Sequence, residues 1–215
     1  MATVAPRLRI GPADHGRMMT LEEFREAEEQ DGYRYELARG VLEVTQVPND
    51  PHGVIVWKLI SAIRDYEREH PRIIHRAGGA GEYRLWLPRM ISGRNPDVAV
   101  TLRNTPKDRR GRRPPTLVME AVSKGSEAHE RDYVTKCEEY LAFGIREYWI
   151  IDPMARCVTV LVRDGDAWVE NRFREEQQAK SSILPGLAIR VSELWVEAEG
   201  EDDEDDEGSG DGGQV

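Results

Sequence analysis

The clearest signal in this chain is where apolar residues stop alternating. In "TLVMEAV" (116–122) five of seven positions are apolar, and "REYWIID" (146–152) is similar. Short continuous runs of this kind predict strands buried on both faces. By contrast, "YRYELARGVLEVTQV" alternates and is broken at Arg39-Gly40, which predicts a β-hairpin. "EYRLWL" (82–87) and "DVAVTL" (97–102) predict two more strands, and "CVTVLVR" with "AWVENRF" predicts a hairpin across Asp164-Gly165.

Helical spacing appears in three places. Thr20-Leu21-Glu22-Glu23 is a capping box leading into a short helix with Leu21, Phe24 and Ala27 on one face. Asp50-Pro51 suits an N-cap followed by proline at N1, opening a long helix with Ile55, Leu59, Ile63 and Tyr66 on its inner stripe. Ser126 is placed to cap a helix over 127–143, with Gly144 as its C′ residue and Tyr133, Cys137, Tyr140 and Leu141 facing the sheet. "VSELW" predicts a last helical turn. The order is that of a mixed α/β domain: a central sheet flanked by helices, with 116–122, one helix and 146–152 forming a parallel βαβ unit.

Composition sharpens the boundaries. The chain has 215 residues and a net charge of −10, but ten of its 40 acidic residues and none of its 30 basic ones lie in 197–215. The rest is therefore neutral, and the tail is expected to be a disordered, self-repelling segment. One globular domain over 19–196 is expected, preceded by a flexible segment 1–18. No run of 18 apolar residues predicts a membrane span, and the N-terminus lacks the apolar core of a signal peptide, so a cytoplasmic protein is expected. Cys137 and Cys157 form no metal or disulfide pattern.

Three charged residues stand out because their surroundings are apolar. Asp97 opens a strand continued by Val98, Ala99 and Val100, and Glu120 interrupts Leu117 to Val122. An unpaired buried carboxylate is costly, above the ~2–7 kcal/mol of a neutral polar group. Lys136 lies on the border of the inner stripe of the next helix, within reach of the Glu120 strand. Two carboxylates on neighbouring strands make a hard-oxygen site for Mg²⁺ or Mn²⁺, with the main-chain carbonyl of Ala121 as a further ligand. Lys136 would then act as the catalytic cation beside a phosphodiester. Each residue also has a structural reading: Asp97 as a turn residue after Pro96, Glu120 paired with Arg146, Lys136 paired with Asp132 at i−4.

"NPDVAV", "PPTLVMEAVSKGS" and "RDYVTKCEEYLAFGIREYWIIDP" together resemble the Uma-type restriction endonucleases of bacteria, a branch of the PD-(D/E)XK nuclease superfamily, over about residues 19–195. The resemblance implies a restriction-endonuclease-like fold, metal-binding carboxylates at Asp97 and Glu120, and a lysine moved from the strand to the helix, at Lys136. It adds Glu36 and His52 as site members, although Glu36 could be a solvent-facing strand residue and His52 a helix-end residue. Asp152 matches too, and reads as a turn former before Pro153. Lys124 stands where the family usually has proline and is a second candidate cation. Val122 occupies the place where the superfamily name puts lysine.

The function implied is Mg²⁺- or Mn²⁺-dependent hydrolysis of DNA phosphodiesters, with a homodimer as a plausible cutting unit. The alternatives are a non-catalytic nucleic-acid-binding or regulatory protein on the same fold, or a hydrolase using the two carboxylates as an acid/base pair without metal. "KDRRGRR" (107–113) joins the Asp97 and Glu120 strands and is expected either to grip the DNA backbone beside the site or to be an ordinary solvated loop.

Overall fold

A computed structural model describes residues 7–47 and 50–195. The strands used below are β1 (Tyr33–Ala38), β2 (Val41–Gln46), β3 (Ile74–Gly79), β4 (Leu85–Leu87), β5 (Ser92–Arg94), β6 (Val98–Leu102), β7 (Leu117–Ala121), β8 (Glu147–Asp152), β9 (Cys157–Asp164) and β10 (Ala167–Arg174). The helices are α1 (Leu21–Glu26), α2 (Asp50–Glu69), α3 (Ser126–Glu130) and α4 (Lys136–Phe143), the last two joined by a π-helical turn, Arg131–Thr135.

The main sheet has six strands in the order β10-β9-β8-β7-β6-β3. Only β7 and β8 pair in parallel, as the helix between them requires; the other neighbours are antiparallel. Because side chains alternate along a strand, the sheet has two apolar faces. On one, Val98, Val100, Met119, Trp149 and Ile151 pack against Ile55, Leu59 and Ile63 of α2. On the other, Ala99, Val118, Tyr148 and Ile150 pack with Tyr140 of α4. This explains the unbroken apolar runs of β7 and β8.

A second sheet, β2-β1-β5-β4, is amphipathic in a different way. Tyr35, Leu37 and Leu42 turn to an apolar cluster with Ile10, Met19 and Phe24. Glu36 and Glu43, opposite each other in register, turn the other way with Arg94. That polar face packs against α4. The two sheets therefore meet across an ionic seam rather than an oily one.

Several expectations need correction. Arg9–Ile10 pairs with Glu28–Glu29 and Ile10 is buried, so the proposed flexible segment is tied down from Arg9; residues 1–6 and the acidic tail lie outside the described residues. Helix α3 begins at Ser126 with Gly125 as N-cap, so Ser126 is not the cap. Gly144 does take the left-handed C-terminal position, at φ 102°. The last hairpin turns on Gly165 and Asp166, one residue later than expected. The capping proposed at Asp50 involves positions bordering residues 48–49, outside the described residues. The turn of the first hairpin is at Arg39-Gly40, both with positive φ (51° and 84°), as a two-residue primed turn demands.

Gly93, on β5, is where the second sheet touches α1. A Cβ there would lie 2.8 Å from Phe24 Cε1 and 3.2 Å from Trp86 Cζ3. Gly93→Ala is expected to destabilise the fold by ~1–3 kcal/mol through overpacking. Thermal denaturation followed by circular dichroism reads this directly; an unchanged midpoint would contradict the packing.

Candidate functional site

Asp97 and Glu120 come together because of register. The pairs Val98↔Met119 and Ala99↔Val118 place Asp97, one residue before β6, across from Glu120 on β7. Directly opposed residues share a face, with Cβ atoms ~4.5–5.5 Å apart. The Ala121 amide confirms the closeness, donating to Asp97 Oδ2 at 2.9 Å. In an extended strand a residue's N–H and C=O point to the same side, so the Ala121 carbonyl also faces Asp97.

Lys136 enters this pair from α4. Its Nζ lies 2.9 Å from Glu120 Oε1, 3.3 Å from Asp132 Oδ1 and 3.5 Å from Glu36 Oε2. Lys136 is 3% exposed, so it does not sit on the helix border but under it. The helix turns Asp132, Lys136, Glu139 and Tyr140 inward together. Tyr140 donates to Glu120 Oε1 at 2.6 Å, and Tyr148 donates to the Asp132 carbonyl at 2.9 Å. The structural reading of Lys136 is thus partly met, because Asp132 is a partner but only one of three; that of Glu120 is not. Arg146 is exposed, and the partners of Glu120 are Lys136 and Tyr140 instead.

Glu36 is buried rather than solvent-facing. It accepts the Asn95 amide at 2.6 Å and Arg94 Nη1 at 3.2 Å, besides facing Lys136. Arg94 is fully buried and also binds Glu139 at 2.6 Å and Glu43 at 2.6 Å, while Ser92 donates to Glu139 at 2.7 Å. His52, in the first turn of α2, places Nε2 3.3 Å from Asp97 Oδ2. Its Nδ1 is buried and has no hydrogen-bond partner among the described residues. Arg34 donates to Asp97 Oδ1 at 2.9 Å and to the Asn95 carbonyl at 2.9 Å. Beside Asp97 opens a cleft of about 800 Å³, lined by Arg34, His52, Arg84, Asn95 and the Gly79–Gly81 turn.

These contacts set the ionisation. Burial raises Asp97, but the His52 hydrogen bond and the charges of Arg34, His52 and Lys136 outweigh it and hold the carboxyl well below the usual range. Glu36 is likewise raised by burial and brought down, to about 2, by Lys136, Arg94 and the Asn95 amide. Glu120 goes the other way. Burial and the nearby charges of Asp97, Asp132 and Glu36 push it up to about 7, against the pull of Lys136. Burial would lower Lys136, yet the three carboxylates hold it above the ordinary amine value. One ammonium serves several carboxylates here, so it stays charged, and the surplus negative charge favours the protonated form of Glu120.

Five of the residues singled out in the sequence therefore converge: Asp97, Glu120, Lys136, Glu36 and His52. Others do not. Lys124 is exposed on the loop after β7. Asp152 is at a strand end, accepting from Ala155 N and Tyr133, as a turn former does. The basic loop 107–113 is at the wrong end. It joins the end of β6 to the start of β7, whereas Asp97 precedes β6 and Glu120 lies near the end of β7. Five strand residues separate it from the carboxylates, ~16 Å. It is also partly self-satisfied, with Asp108 accepting from the Arg110 and Arg112 amides. Sequence reasoning missed Arg34, Arg94 and Glu139. The signal for Arg34 was available: it is two residues before Glu36, hence on the same strand face.

The ionisation predicts a pH dependence for the metal-free protein. A carboxyl whose folded-state value is raised contributes stability below its unfolded value, ~4.5, and loses it as pH rises through about 7. Asp97 and Glu36 are shifted down, so their contributions stay constant over that window and are lost only in strong acid. In chelator, the wild type is expected to lose up to ~3 kcal/mol between pH 5 and 8 relative to Glu120→Gln, which has no carboxyl to titrate. Parallel denaturation curves for the two proteins across that range would contradict it.

No curated protein matches this sequence closely enough to serve as a relative. The fold is similar to the crystal structure of a putative nuclease belonging to DUF820 from Anabaena variabilis, with a TM-score of 0.65 and 20% sequence identity over 82% of this chain and 97% of that one. The family described as Uma2, putative restriction endonuclease, matches residues 21–192, a span that contains every residue of the converged cluster. The chain therefore belongs to the Uma2 family.

Proposed function

We propose that this protein is a divalent-metal-dependent nuclease that hydrolyses DNA phosphodiesters at the Asp97–Glu120 pair. The observation that carries the reading is the register itself. It sets two carboxylates opposite each other, Asp97 lining a cleft and Glu120 buried behind it, with a buried ammonium 2.9 Å from Glu120. Membership of a family described as putative restriction endonucleases, and the fold shared with a putative nuclease, support the reaction class.

The donor set fits Mg²⁺ or Mn²⁺. These ions take one or two carboxylates and fill the remaining positions with water and substrate oxygens, rather than using a cage made wholly of protein. Among the described residues no group of three or more acidic, histidine or cysteine side chains is arranged to hold a metal by itself. Asp97, Glu120 and the Ala121 carbonyl would hold the ion. Glu120, pushed up to about 7, marks a place where added positive charge is favourable. A bound divalent cation would supply Lewis-acid stabilisation to the reacting phosphate.

The chain's own groups do the rest. Lys136 keeps its proton, because Glu36 and Asp132 hold it charged, and so offers fixed positive charge where the transition state gains negative charge. Glu36 is itself fixed by Arg94 and the Asn95 amide, so the ammonium cannot drift. Tyr140 orients Glu120 through Oε1. His52 and Arg34 line the cleft from α2 and β1 and are placed to meet substrate phosphate. The DNA contact surface is this cleft, not the 107–113 loop.

Plasmid cleavage tests the reading. Cleavage with Mg²⁺ or Mn²⁺ is expected in the wild type and its loss in chelator. Asp97→Ala, Glu120→Ala and Lys136→Ala are each expected to lower the rate by about a hundredfold or more. Activity that persists in chelator, or in all three variants, would overturn the site and the metal requirement. Neutralising Arg109, Arg110 and Arg112 together is expected to leave cleavage nearly unchanged.

A further inference from the structure

Both oxygens of Asp97 are already engaged. Oδ1 accepts from Arg34, and Oδ2 takes the Ala121 amide and faces His52. A metal ligand needs lone pairs facing the ion, and a permanently charged guanidinium stands against one of them. A divalent ion at the same carboxylate would repel the Arg34 guanidinium at close range, so the two compete for Oδ1.

Arg34 is built to move. Its side chain is 21% exposed, against 4% for Asp97, and it lines the cleft, so the guanidinium is on the open side of the pair. Among the described residues its hydrogen-bond anchors are one carboxylate oxygen and the Asn95 carbonyl. Lys136 and Arg94 differ in being enclosed and each held by three carboxylates. Swinging off Oδ1 exposes a planar fork suited to bidentate phosphate contact, within the cleft where a nucleic-acid backbone would lie.

We infer that Arg34 is a displaceable stand-in cation: it neutralises Asp97 in the metal-free protein, leaves Oδ1 when the divalent ion binds, and turns to the substrate phosphate. Metal binding and substrate binding are thereby coupled, since the ion frees the arginine that grips the phosphate. The inference rests on the metal-dependent reading above and adds an order of events to it.

The test is Mn²⁺ titration by calorimetry, without DNA, of the wild type, Arg34→Gln and Arg34→Lys. Arg34→Gln is expected to bind Mn²⁺ about tenfold more tightly than the wild type, because the competing charge is gone. Arg34→Lys keeps a competing charge and is expected to stay near the wild type, which separates charge from packing. Thermal denaturation supplies a second readout: in chelator Arg34→Gln should melt below the wild type, and saturating Mn²⁺ should close most of the gap. Equal or weaker Mn²⁺ binding by a folded Arg34→Gln, with the wild type still binding, overturns the stand-in role and leaves the nuclease reading intact. No Mn²⁺ binding by any of the three overturns both.

Discussion

The structure turns on one buried ammonium shared among carboxylates. Lys136 reaches Glu120 on the main sheet, Glu36 on the second sheet and Asp132 on its own helix. Removing a charge from water costs several kcal/mol, and the cost is met only when partners surround it. Here the partners come from three elements, so the lysine is held only if both sheets and the helix are in place. The same arrangement continues at Arg94, which joins Glu36, Glu43 and Glu139 across the seam. Buried ion networks are seldom the most stabilising way to fill a core. Their presence where two sheets meet, next to a cleft, is better explained by what they position.

That constraint also accounts for the departure at Val122. The place two residues after Glu120 faces the same side of the strand, and lysine there would send its charge along that face directly. In this chain Val122 is buried in the apolar cluster with Tyr140, Ile145 and Tyr148. The positive charge comes instead from α4, whose inner face carries Lys136 and Glu139, with Asp132 of the π turn before it, among apolar neighbours. The π turn immediately before Lys136 lies where such irregularities often mark functional sites. The register of β6 against β7 supplies the remaining geometry, since a shift by one residue would move Asp97 to the other face.

Much of this was legible in the sequence. The Arg39-Gly40 hairpin, the βαβ unit and the buried carboxylates at 97 and 120 follow from local patterns: a primed turn, apolar runs joined by one helix, and charges out of place. The rest depended on partners far away in the chain. Strand β3 was missed because "IHRAGG" forms an edge, where His75 and Arg76 face solvent and two glycines dilute the pattern. The second sheet's inward charges looked like a solvated face because alternation shows which residues share a side, not what that side meets. The misplaced role of 107–113 came from reading nearness in sequence as nearness to the site, although a hairpin loop lies at the far end from its first residue's partner.

In the proposed nuclease, Asp97 and Glu120 jointly hold a divalent ion beside the cleft. Anomalous diffraction from crystals soaked in Mn²⁺ tests it most directly. The account predicts a manganese peak between the two carboxylates, beside the Ala121 carbonyl, with Arg34 turned off Asp97. Well-ordered crystals at saturating Mn²⁺ with no peak there, and with Arg34 still bound to Asp97, would contradict it.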